Sequence, residues 1–134
     1  MSLIETPVSY GELIDKMTIL QIKLQEIKDE AKLANVRNEL ELLDATWKND
    51  KASEVDIAEE TGRLLAVNQR LWKIEDDIRM KERAQAFDAE FIQLARSVYI
   101  ENDERAAIKR EINLKLGSTL VEEKSYQDYR APQA

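Results

Sequence analysis

Apolar residues recur along this chain at alternating steps of three and four, the repeat of a buried helix face. Leu13, Met17, Leu20, Leu24 and Ile27 form the first seam, and Ile14, Ile19 and Ile22 widen it beyond one side. Just ahead, "SYGE" at 9–12 sets a serine three residues before a glutamate. That is a capping box, so a helix is expected to begin near Tyr10. A second run, Leu33, Val36, Leu40, Leu43 and Trp47, keeps the rhythm but shifts its phase. The offset of about two residues is roughly 200° around a helix. A break or sharp bend near Asp29–Lys32 is favoured over one continuous helix, although no Gly or Pro marks it.

The polar stretch "KNDKAS" at 48–53 reads as a connection, with Ser53 as N-cap and Glu54 and Asp56 in the first turn. Ile57, Leu64, Val67, Leu71, Ile74 and Ile78 then form a third seam, carrying a helix to at least Lys81. Asn68 lies beside that seam, where a polar side chain either fixes the register between helices or faces water. Met80, Ala84, Phe87, Phe91, Leu94 and Val98 repeat in another phase. Phe87–Asp88 reads as a restart, with Asp88 capping and Phe87 stapled to Ile92. Asn102 or Asp103 is expected to cap a last helix bearing Ile108, Ile112 and Leu116 on one face, with Gly117 as its stop. The expected fold is all-α with about five helices: a long antiparallel helical hairpin followed by shorter C-terminal helices. One helical domain is expected over 1–134, with 1–8 and 118–134 as extended or mobile termini.

Composition supports helices and narrows the chemistry. Charged residues make up 35%, above the roughly 25% of ordinary domains. Three Gly and two Pro are too few for a turn-rich β fold. With no His and no Cys, imidazole catalysis, thiolate chemistry and the usual zinc ligands are excluded. No apolar run approaches the ~20 residues of a membrane span, and "MSLIETPVSY" lacks the pattern of a signal peptide. A cytoplasmic protein without membrane insertion is the expectation. The net charge of −7 falls entirely in residues 1–60, while residues 61–134 are neutral. That acidic half argues against a general nucleic-acid binder, because phosphate needs a positive field.

Four blocks, "GELIDKMTILQIK" (11–23), "KLANVRNEL" (32–40), "FDAEFIQLARSVYIENDERAAIKREIN" (87–113) and "GSTLVEEKSY" (117–126), together resemble an uncharacterised family of short bacterial and phage proteins. The resemblance covers nearly the whole chain. It implies a helical fold and a setting beside surface-polysaccharide or glycosyl-transfer genes. It implies no activity and no catalytic residue.

Helix neighbours lie three and four residues apart. By that test Arg70, Arg83, Arg96, Lys109 and Arg110 lack a carboxylate on their own helix, whereas Lys81 has Asp77 and Lys115 has Glu111. The bland reading is tertiary pairing with the acidic N-terminal helices. The sharper reading is an anion site for phosphate, sulfate or a sugar nucleotide, with Arg96, Arg105, Lys109 and Arg110 as ligand candidates. Lys109 is expected at the edge of the buried stripe, paired to a carboxylate on another helix, and Arg110 in the more exposed position. Asp56 and Glu59 half-match the paired carboxylates of helical nucleotide pyrophosphatases, but Glu75 lacks its partner, so no metal site and no cofactor are expected. A helical chorismate mutase needs several helix-borne cations, and the first helix offers only lysines. Tyr126 and Tyr129 are placed to fasten the tail to the body or to a partner.

Two functions follow. The first is a non-enzymatic helical interaction module, a homodimer formed through the seams of 10–47 and 54–81, with a further protein partner as an alternative. The second is an anion- or nucleotide-sugar-binding protein or enzyme using the basic face of the C-terminal helices.

Overall fold

The computed structural model describes residues 2–130. It is all-helical: α1 (Tyr10–Glu26), α2 (Glu30–Asn49), a short 3-10 turn (Lys51–Glu54), α3 (Ala58–Arg83) and α4 (Ala89–Leu116). Ser9 caps α1, its hydroxyl accepting from the Glu12 N–H at 3.1 Å. The break falls at Ile27, which leaves helical geometry, and Asp29 caps α2 by accepting from Ala31 and Lys32. Asp88 caps α4 through the Phe91 N–H at 3.0 Å. Gly117 ends α4 in the left-handed region (φ 69°), where the N–H of Ser118 reaches back to the Asn113 carbonyl at 2.8 Å.

Three local expectations are corrected. Among the described residues α-helices number four rather than about five, because α4 runs unbroken through Asn102 and Asp103 and is the longest, at 28 residues. The Asp103 side chain caps nothing; it accepts from Lys124 in the tail. Ser53 does not cap α3 but lies in the 3-10 turn that Asp50 caps, and Asp56 instead accepts from the Ala58 N–H at the start of α3. Phe87 packs edge-to-face on Phe91, 5.2 Å between ring centroids, while Ile92 is exposed.

The four helices form two antiparallel hairpins. At the open end of the first, Tyr10 meets Trp47 edge-to-face and donates to Asp50 at 3.0 Å. The second is registered along its length by Lys115–Glu60, Arg63–Glu111, Arg70–Glu101 and Lys81–Asp88. Helix α1 is the hub and packs on α2, α3 and α4. The core, Leu13, Ile14, Met17, Ile57, Leu64, Val67, Ile108 and Ile112, lies where α1 covers the first half of α3 and the last half of α4. The α1 seam is therefore consumed inside the chain. Beyond that contact the α3–α4 hairpin continues as an arm: no residue from Gln69 to Ala107 is buried. No helix among the described residues is long and apolar enough to cross a membrane.

Candidate functional site

Helix α1 brings a polar stripe into its contact with α4. Residues three or four apart share a helix face, so Gly11, Glu12 and Asp15 of α1 confront Arg105, Lys109 and Asn113, which lie at steps of four on α4. At the tight end the helices touch backbone to side chain: the Gly11 N–H donates to Asn113 Oδ1 at 2.6 Å, and Asn113 is buried. One turn further along α1, Asp15 is fully buried. An isolated carboxylate there would be costly, but this one is saturated. Arg105 grips it with two parallel bonds, Nε to Oδ1 at 2.9 Å and Nη2 to Oδ2, and Asn68 of α3 donates to Oδ1 at 2.9 Å. The same Asn68 amide donates to the Thr18 hydroxyl at 3.0 Å, which in turn donates to the Asp15 carbonyl at 2.7 Å. Asn68 thus fixes register between α1 and α3; of its two readings, facing water is excluded by burial.

Lys109 is the second cation of the cluster and is 8% exposed. Its ammonium donates to Glu12 at 2.7 Å and to Glu122 of the C-terminal tail at 2.8 Å, and stands 4.0 Å from Asp15. Burial pushes the Lys109 pKa down, but the bonds to Glu12 and Glu122 and the charge of Asp15 outweigh it and hold the group above the usual lysine value. The Arg105 pKa is also raised, chiefly by its bonds to Asp15.

The tail returns along α4 as a strap without regular structure. Glu122 meets Lys109, Glu123 meets Arg110 at 3.3 Å, Lys124 meets Asp103 at 2.8 Å, and Tyr129 stacks edge-to-face on Tyr99 at 4.9 Å. Between strap and helix lies an open cleft of about 660 Å³, with Arg105 and Lys109 in its floor and Tyr99, Asn102 and Tyr126 around it.

Of the four cations singled out as anion ligands, the fold brings two together, Arg105 and Lys109. Arg110 is half exposed on the neighbouring face. Arg96 stands about 14 Å up the same helix and on its opposite side from Arg105, exposed and without an ion pair among the described residues. Arg83 also makes no such pair. Lys109 meets the N-terminal helices, as tertiary pairing requires, whereas Arg70 turns to Glu101 of α4 and Arg110 to the tail. Two assumed local pairs are replaced by cross-helix ones: Lys81 bridges to Asp88 and Glu90, and Lys115 to Glu60. Asp15, Asn113, Gly11 and Glu122 were not singled out in the sequence. For the first three the one signal is spacing: "GELID" and "RAAIKREIN" each place polar groups three or four apart beside the apolar stripe; Glu122 has none. Among the described residues no group of three carboxylates is placed to hold a metal ion.

Residues 4–133 match a family model described as Family of unknown function (DUF6165), and the chain belongs to that family. No curated protein and no solved structure matches it.

Proposed function

We propose that the chain is a non-enzymatic helical interaction module that self-associates through its α3–α4 arm. One observation carries this reading: from Gln69 to Ala107 the arm contains many apolar side chains and no buried one. Leu71, Ile74, Ile78, Phe91, Leu94 and Val98 are half-buried, while Met80, Ile92 and Ile100 are exposed. A lone helical hairpin covers one side of each apolar stripe and leaves the other side in water, and leftover stripes tend to pair. Apolar surface of this extent marks an interaction site.

The occupant we infer is a second copy. Residues 71–100 carry five Lys and Arg against six Asp and Glu, so the arm is almost neutral on a chain of net charge −7. Two arms can meet without the repulsion that the acidic first hairpin would bring. Packed across a two-fold axis, two hairpins make a four-helix bundle, the common solution for such surfaces. Of the dimer seams expected over 10–47 and 54–81, the α1 part is consumed inside the chain, the end of α3 lies in the arm, and α4 supplies the rest of the proposed face. The surface-polysaccharide setting implied by resemblance would make a protein of that setting a competitor for the same face. Hydrogen exchange tests the reading: amide protection at 72–98 should rise with protein concentration, while protection at 11–22 stays constant. Equal protection at all concentrations would refute it.

A second reading, anion binding, is supported by the cleft under the tail. There Arg105 and Lys109 are held in place, packed against α1 on one side and lining the cleft on the other.

A further inference from the structure

The carboxylates around Lys109 are not equivalent. Glu12 and Asp15 belong to α1 and are fixed by its packing. Glu122 sits on a strap without regular structure, its side chain 62% exposed. The two cations Arg105 and Lys109 already balance Asp15 and Glu12 one for one. Glu122 is therefore an extra anion, accepted by a site whose fixed charges sum to zero. What holds it is a pair of cations: Lys109, which donates to it directly at 2.8 Å, and Arg105, which acts on it by charge alone. The strap itself is fastened by exposed ion pairs and one aromatic contact, which are weak restraints.

We propose that Lys109, backed by Arg105, is a seat for one oxyanion group, and that the chain's own Glu122 occupies that seat until a ligand displaces it. The ligand class is a carboxylate or phosphate on a small polar body. Hydroxyl and amide groups of Tyr99, Asn102, Ser125 and Tyr126 line the chamber into which that body would extend. A carboxylate that displaces Glu122 leaves the charge balance unchanged, since one monoanion replaces another, whereas phosphate brings about −1.5 to −2 at neutral pH. Displacement also frees the strap, so ligand binding is coupled to release of residues 118–130. This inference rests on the anion-binding reading and adds a built-in competitor to it.

The test uses the full chain, isotope-labelled, at constant ionic strength. Inorganic phosphate and acetate are titrated separately, so that the two oxyanion chemistries are distinguished. Shifts at Lys109 and Arg105 report the seat, and those of residues 120–126 report the strap. A tethered carboxylate competes at millimolar effective concentration, so Glu122→Gln should tighten binding of the preferred anion by about tenfold. Asp77→Asn, which pairs with Lys73 on α3 away from the cleft, should leave it unchanged. Glu122 lies outside every helix, so its replacement should not alter the helical spectrum. Equal saturable binding by wild type and Glu122→Gln would overturn the competitor while keeping the anion-binding reading. Saturable binding by neither variant would remove both.

Discussion

Gly11 and Lys109 stand so close that a Cβ on Gly11 would lie 2.5 Å from the Lys109 carbonyl oxygen. The contact joins the first turn of α1 to the middle of the C-terminal half of α4, and the Asn113 side chain seals it from the same helix. Neither partner can yield easily, because the obstructing atom belongs to a helical backbone.

Gly11→Ala should therefore destabilise the fold, by about 1–3 kcal/mol as overpacking does. Gly62→Ala is the control. Nothing lies within 4 Å of a Cβ there, and removing a mid-helix glycine should stabilise by about 0.5–1 kcal/mol. Urea melts of both variants check the signs, and a stable Gly11→Ala protein would mean that α1 and α4 are further apart.

Arg105→Leu should cost about 3 kcal/mol, because it strands the buried Asp15 carboxylate. The double variant Asp15→Leu, Arg105→Leu should be less damaging than Arg105→Leu alone. Denaturant melts of the two single variants and the double measure the coupling; additive losses would show that Asp15 and Arg105 do not act as a pair.

Lys109→Ala should be more destabilising than Arg110→Ala. Lys109 loses a packed stem and two bonds to carboxylates, whereas Arg110 loses one exposed pair to Glu123, a contact of about 0–1 kcal/mol. The reverse order in urea melts would overturn this assignment of the two neighbours.

The raised Lys109 pKa gives a pH signature. A folded-state value above the ordinary 10.5 means that the folded state holds the proton more tightly. The stabilisation is then complete below the ordinary value and is lost as pH rises through the folded one. Wild type and Lys109→Met should differ by a constant amount at neutral pH and converge under alkali. A gap that widens with pH would contradict the clasp.

Much of this fold was legible where it depends on local chemistry. The start of α1 at Ser9, the restart at Asp88 and the stop at Gly117 each rest on a side chain or conformation within one turn. The break at Ile27–Asp29 was legible from phase alone. Continuity of α4 was not, since Asn102 and Asp103 can cap a helix or lie within it, and no residue within one turn of them decides between the two. Ion pairing was legible only by exclusion. Lys109 lacked a local carboxylate and found Glu12. Arg105 had Glu101 one turn back, yet Glu101 serves Arg70 and Arg105 reaches Asp15. The tail has no periodicity, so nothing in its composition reveals that Glu122, Glu123 and Lys124 match Lys109, Arg110 and Asp103.

The central claim is that the uncovered α3–α4 arm is a surface for a second copy of the chain. Light scattering after size exclusion, at tens of micromolar, tests it most directly. Wild type should elute with twice the mass of one chain, and Ile78→Glu with Ile92→Glu should elute with the mass of one while keeping its helical spectrum. A wild-type protein with the mass of a single chain under those conditions would contradict the account.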